Sequence, residues 1–274
     1  MDSTATGVNA SSFTAAPERA TFDGFLFDMD GTIIDSTPAI EKHWHSIGQD
    51  IGVSANVILQ TSHGRRSIDV LKILAPEKAN WDSEARTPQL TLAGEEEEKE
   101  ETPSLPLPCH DPDVREAEGR LPKLYAHEAI EVPGARTLLE GLNRNSAPWT
   151  IVTSGTEPLV TGWLGVMALP HPDQMVTAES VENGKPDPAC YLLGRQRLGL
   201  EGDAKRVLVL EDAPAGIRAG KAAGCKVIGL VTSHTVDQVA AAEPDWIVRD
   251  LSSVKVVESK DGVVTLEISN GLVQ

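Results

Sequence analysis

The sequence predicts an α/β protein whose parallel sheet is interrupted by a helical insertion. Three observations predict it. From Pro133 onward, short apolar runs alternate with stretches of helical spacing, which is how strand–helix–strand crossovers read. One earlier apolar run, Phe25-Leu26-Phe27, stops at Asp28-Met29-Asp30-Gly31, as a buried strand entering a turn does. Between the two regions lie about a hundred residues in which the clearest apolar spacing is helical.

Residues 1–20 are Ser/Thr/Ala-rich without periodicity and are expected to form a disordered tail. From Thr37 to about Pro76, Ile40, Trp44, Ile47 and Ile51, then Ile68, Leu71 and Leu74, recur at helical intervals. Residues 94–118 combine ten acids and two bases with four prolines, so a solvated loop is expected there, one that can be deleted with catalysis retained. Strands are expected at Thr150–Thr153, Met175–Thr177, Val207–Leu210, Val227–Val231 and Trp246–Val248. Helices are expected at Gly134–Leu142, Pro188–Leu198 and Ala215–Ala223. Val254–Val257 and Val263–Ile268 flank Lys260-Asp261-Gly262, a hairpin signal. The implied organisation is a tail (1–20), a core built from 21–36 and 132–274, and an inserted helical domain (37–131) carrying the acidic loop.

The 274 residues hold 41 acidic and 24 basic side chains, a formal charge of −17. That balance opposes binding to nucleic acid or to an anionic membrane surface. Nearly half of it, −8, falls within residues 94–118. No apolar run approaches the roughly 18 residues that span a bilayer, and the N-terminus lacks the features of a signal peptide. Cys109, Cys190 and Cys225 are widely spaced and form no CxxC. The expectation is a cytoplasmic monomer with reduced thiols.

In open parallel sheets, ligands bind beyond the carboxyl ends of the strands. The residues following each expected strand are Asp28 and Asp30, then Thr153, Ser154 and Gly155, then Glu211 and Asp212, with Lys185 in a turn before a helix. Carboxylates of Asp28 and Asp212 would give Mg²⁺ its hard oxygen ligands. Asp28 can also act as a nucleophile, and Asp30, two positions on, returns to the same side as a general acid and then base. Thr153 and Lys185 would hold the non-bridging phosphoryl oxygens.

The run Asp28-Met29-Asp30-Gly31-Thr32-Ile33-Ile34-Asp35-Ser36, followed by Thr153, Lys185-Pro186 and Glu211-Asp212, resembles the four motifs of the haloacid dehalogenase-like hydrolases, in order. Ser62-His63-Gly64-Arg65-Arg66, Ile130-Glu131-Val132-Pro133-Gly134, Thr153-Ser154-Gly155-Thr156 and Glu211-Asp212-Ala213-Pro214-Ala215-Gly216 are similar to fungal glycerol-phosphate and 2-deoxyglucose-6-phosphate phosphatases. The resemblance implies a Rossmann-like core with residues 37–131 as a helical cap. It implies a Mg²⁺ site of Asp28, Asp30 through its backbone carbonyl, Glu211 and Asp212. It also implies hydrolysis of a small phosphate ester, such as a glycerol or sugar phosphate, through an aspartyl-phosphate. A cap closing over phosphate needs donors, and His63, Gly64, Arg65 and Arg66 are the candidates, joined by Ser154 and Gly155.

Other readings compete with these. A phosphomutase would use the same motifs, and a terpenyl phosphate or diphosphate would need a larger apolar pocket. Dehalogenation is disfavoured by Asp30, and a silent binding module by the intact charges at all four stations. Asp35 and Ser36 could cap the first inserted helix. His43 and His45, two apart on a helix, face different ways and make a poor metal pair. The glycines of Ala215–Gly224 are spaced four apart inside a helix and read as packing against the sheet, not as a dinucleotide loop.

Overall fold

The computed structural model describes residues 13–62, 64–76, 79 and 114–273, with the backbone alone at 60 and 61. The chain enters through β1 (Glu18–Phe22), β2 (Gly24–Phe27) and β3 (Ile34–Asp35), then runs into α1 (Thr37–Ile51), α2 (Ala55–Ser62), α3 (Ser67–Leu74) and α4 (Val114–Leu124). It returns through β4 (Ile130–Glu131) to α5 (Ala135–Arg144), β5 (Trp149–Val152), α6 (Glu157–Val166), β6 (Met175–Val176) and α7 (Ala189–Arg197). β7 (Val207–Glu211), α8 (Pro214–Ala222), β8 (Lys226–Leu230), α9 (Val236–Ala240) and β9 (Trp246–Val248) follow, and the hairpin β10 (Val254–Lys260) and β11 (Val263–Ile268) ends the series.

Six parallel strands form the main sheet in the order β6-β5-β2-β7-β8-β9. β2 lies between β5 and β7, with Leu26 opposite Thr150 on one side and Val209 on the other. Period-2 alternation splits its apolar residues between two cores. Phe25 and Phe27 join Trp149, Ile151, Leu208 and Leu210 beneath Leu138 and Leu139 of α5 and Trp163 of α6. Leu26 joins Val152, Val207 and Val209 against Tyr191 of α7, Ile217 of α8 and Val239 of α9. Phe25, Leu26 and Phe27 are fully buried, each worth about 1.5–3 kcal/mol in transfer from water. Both faces of the sheet are therefore covered, as a parallel sheet requires. The glycines of α8 are packing residues: a Cβ at Gly220 would stand 3.1 Å from both Val209 and Val227.

Two expectations fail at their edges. Residues 18–20 are not tail but the start of β1, which pairs antiparallel with β11, Glu18 opposite Ile268 and Ala20 opposite Leu266. The hairpin presents an edge that this polar stretch completes, and Phe22, 2% exposed, anchors it in the core. Residues 114–118 are not loop either: they open α4, with Val114 and Glu118 buried. The remainder of the acidic segment, 94–113, and residues 1–12 lie outside the described residues.

The helical insertion leaves and re-enters the core through β3 and β4, which pair with each other, Ile34 opposite Glu131. Trp44, Ile58 and Val70 form a small core of its own, and of the residues that the sequence shows at helical spacing, Ile40, Ile47, Ile51 and Leu74 pack against it. α4 crosses α6 closely because glycines face prolines. A Cβ at Gly119 would lie 2.8 Å from Pro158, and one at Gly162 would lie 2.7 Å from Pro122. No helix among the described residues is long and apolar enough to cross a membrane.

Candidate active site

The carboxyl ends of β2, β5 and β7 bring the expected residues together. Asp28 follows β2 directly, and its N–H donates to Leu210 O at 3.0 Å, holding it to the end of β7. Lys185 reaches in beneath it. Its Nζ donates to Asp28 Oδ1 at 2.5 Å, to Glu211 Oε1 at 2.7 Å and to Val152 O at 3.1 Å, with 4% of the residue exposed. Tyr191 OH also donates to Glu211 Oε1, at 3.0 Å, and Ala213 N–H donates to Oε2 at 2.9 Å. Glu211 is thereby fully engaged in fixing the lysine and the start of α8. Gly216 makes room for it, since a Cβ there would meet Glu211 Oε1 at 1.5 Å.

The turn after Asp28 depends on Gly31, whose φ of +85° favours glycine and whose missing side chain admits Asp212. Asp212 accepts from Thr32 Oγ1 at 3.2 Å and from Ser233. Asp30 is half-buried, and Ser36 Oγ donates to its Oδ1 at 2.5 Å. Ser36 does stand at the N-cap position of α1, but its hydroxyl serves Asp30 and makes no cap bond; Asp35 instead accepts from Thr37 N–H at 3.1 Å. Thr153 Oγ1 accepts from Gly155 N–H at 3.0 Å, which leaves its own proton available to a ligand.

Among the described residues, four carboxylates, Asp28, Asp30, Glu211 and Asp212, face a single lysine. Burial pushes the Asp28 carboxyl well above its usual range, against the pull of Lys185. Burial also raises Asp30, and the Ser36 hydrogen bond opposes that. Burial and neighbouring Glu211 push Asp212 up to about 7. Burial alone would lower Lys185, but Asp28 and Glu211 outweigh it and keep the ammonium protonated. Such a site is short of positive charge. Oxygens of Asp28, Glu211 and Asp212 all lie within 4.8 Å of one another, a hard-donor set that fits a divalent cation such as Mg²⁺. With Glu211 engaged, Asp28 and Asp212 are the carboxylates best placed to take it.

A cavity of about 80 Å³ opens above these groups. The core lines it with Asp28, Asp30, Thr153 and Asp212, and the insertion lines the opposite wall. Of the expected substrate contacts, Gly64, Arg65, Ser154 and Gly155 line it. Ser154 Oγ donates to Gly64 O at 3.0 Å, joining core to insertion. Arg66 does not line it. Its guanidinium is bound to Asp69 at 2.6 and 2.8 Å and to the carbonyls of Ala178, Val181 and Glu182, so it ties α3 to the segment before Lys185. His63 lies outside the described residues. Glu118, which the sequence assigned to a loop, lines the cavity; it accepts from Ser67 Oγ at 2.5 Å and from Thr156 N–H at 2.8 Å. Nothing in the local sequence distinguishes it from the acids upstream; the packing of α4 on α6 does. His43 lines the cavity as well, while His45 is exposed, which bears out their opposite facing.

The family model for haloacid dehalogenase-like hydrolases matches residues 22–224. Glycerol-1-phosphate phosphohydrolase 1 of Saccharomyces cerevisiae is 35% identical over 252 residues, covering 89% of each chain. 2-deoxyglucose-6-phosphate phosphatase 1 of the same yeast is 31% identical, covering 90% of this chain and 95% of the relative. A hydrolase from Pseudomonas syringae of known crystal structure shares the fold at a TM-score of 0.63 and 22% identity, over 84% of this chain and 94% of that one.

Proposed function

The chain belongs to the haloacid dehalogenase-like hydrolases, and from that premise we propose that it is a Mg²⁺-dependent phosphatase of small polyol or sugar phosphates. The observation that carries this reading is Asp28 at the end of the central strand, held by Lys185 and grouped with Glu211 and Asp212.

Asp28 attacks phosphorus, and the ester oxygen leaves with a proton from Asp30. Burial suits Asp30 to hold that proton beforehand. Asp30 then takes a proton from water, whose oxygen attacks the phosphorus of the aspartyl-phosphate. Phosphate leaves and Asp28 is restored. Thr153, through its free hydroxyl proton, holds a phosphoryl oxygen, while Lys185, which stays protonated with its three N–H bonds on Asp28, Glu211 and Val152 O, steadies the Asp28 carboxylate from beneath. Asp28, Asp212 and the Asp30 carbonyl would hold Mg²⁺, which when bound supplies positive charge to the phosphoryl group. The insertion, residues 37–131, serves as a cap, with Arg65 offered to the substrate from its side of the cavity.

Two features favour a small hydrophilic ester over a terpenyl one. Drug-sized ligands occupy pockets of roughly 300–1,000 Å³, whereas this cavity is about 80 Å³, and Asp28, Asp30, Arg65, Glu118 and Asp212 are among the residues that line it. The test is a phosphate-release screen over glycerol, hexose and prenyl phosphates, with and without Mg²⁺, in which sugar isomers are also followed. Mg²⁺-dependent release from glycerol or hexose phosphates is expected. Isomer formation without release would make the protein a mutase, and release from prenyl phosphates alone would overturn the substrate class.

A further inference from the structure

The insertion's wall of the cavity holds polar atoms of two kinds. Ser67 Oγ and Glu118 bind each other, and Glu118 also accepts from the core at Thr156 N–H. They are spoken for. His43 Nε2 on α1 and Ser62 Oγ at the end of α2 are different: both are buried, and neither has a hydrogen-bond partner among the described residues. His43 is 8% exposed and Ser62 4%. Leaving one such group unsatisfied costs about 1–3 kcal/mol, so two in one cavity wall call for a partner that arrives with the ligand.

The chemistry of these two atoms specifies that partner. Burial pushes the His43 imidazole down to about 4, so it is neutral at pH 7. A neutral imidazole and a hydroxyl each pair well with an alcohol, as donor or as acceptor. Neither neutralises a second anionic group. The apolar neighbours Ile40, Trp44 and Leu121 line the same cavity.

We propose that His43 Nε2 and Ser62 Oγ form a hydroxyl-recognition subsite for the alcohol half of the substrate, selecting phosphate esters that carry a further hydroxyl. The proposal rests on the phosphatase reading above and narrows it: the alcohol is a polyol, recognised by hydrogen bonds from the insertion. A site built to hydrogen-bond a hydroxyl discriminates strongly against the analogue that lacks it.

The test compares glycerol 1-phosphate with propyl phosphate, which has the same carbon chain and no hydroxyl. In the wild type, kcat/KM should favour glycerol phosphate by at least about tenfold. In His43→Phe, which keeps the ring volume, that ratio should fall by about tenfold or more, chiefly through KM. His43→Gln, which keeps a hydrogen-bonding group, should recover part of it, and Ser62→Ala should lower it by a smaller factor. The same ratio should appear in binding of the two esters to Asp28→Asn protein by calorimetry. A ratio unchanged in His43→Phe, or lost in step with general activity, would overturn the subsite. If the wild type hydrolyses neither ester while the binding ratio and its loss in His43→Phe persist, the phosphatase reading fails and the subsite stands.

Discussion

Lys185 Nζ lies 2.5 Å from Asp28 Oδ1, buried, and its second bond to Glu211 at 2.7 Å aims it there. The lysine compensates one carboxylate of four, so removing the Asp28 charge relieves repulsion without emptying space. Asp28→Asn should therefore lose phosphate release by at least about 10³-fold, the scale on which nucleophile removal acts. Its melting temperature in Mg²⁺-free buffer should equal or exceed that of the wild type. Turnover near the wild-type rate would remove Asp28 as the nucleophile.

The excess of negative charge also makes the fold sensitive to its counter-ion. Mg²⁺ at 100 times its dissociation constant stabilises by about 2.7 kcal/mol, which for a chain of this size raises the melting temperature by roughly 5–10 °C. Gly31→Ala should destabilise the protein, because its φ is +85° and the new Cβ would stand 2.2 Å from Asp212 Oδ2. By displacing Asp212 it should also shrink the Mg²⁺-dependent shift seen in calorimetry. A full shift in that variant would take Asp212 out of the cation site.

Glu118 should leave a mark on stability against pH. Burial pushes its carboxyl up to about 7, against the hydrogen bonds from Ser67 and Thr156. A raised carboxyl favours the folded state below its unfolded value and loses that contribution as pH rises through the folded one. Glu118→Gln keeps an acceptor for Thr156 and carries no charge. The stability of the variant relative to wild type should thus increase between about pH 4.5 and 7, by up to about 3 kcal/mol. Parallel pH profiles in urea unfolding would show that Glu118 ionises as freely in the fold as outside it. Deleting all of 94–118 removes this carboxylate, so the deletion expected to be harmless should loosen the contact between α4 and Thr156.

Much of the catalytic face was legible because its residues sit at strand ends. The run Phe25-Leu26-Phe27, stopping at a turn, reads as a buried strand, and the position of Asp28 and Asp30 followed from it. Val207–Leu210 placed Glu211 and Asp212 in the same way. The insertion's wall was less legible. Arg66 reads in sequence like Arg65, yet one is buried on Asp69 and three carbonyls while the other faces the cavity. Ser36 reads as a helix cap and instead serves Asp30. Glu118 is one acid among ten in its stretch, and only α4 packing on α6 separates it from the rest.

By itself the sequence determined the family, the parallel sheet and the carboxylate, hydroxyl and lysine stations at its edge, because hydrophobic period and strand ends are local properties. The tertiary structure decided which polar groups are satisfied by partners far away in the chain. Burial and hydrogen-bond pairing depend on what folds over a residue, not on its neighbours in sequence. That is why Glu211 turns inward to Lys185 and Tyr191, and why His43 Nε2 and Ser62 Oγ are left without hydrogen-bond partners among the described residues.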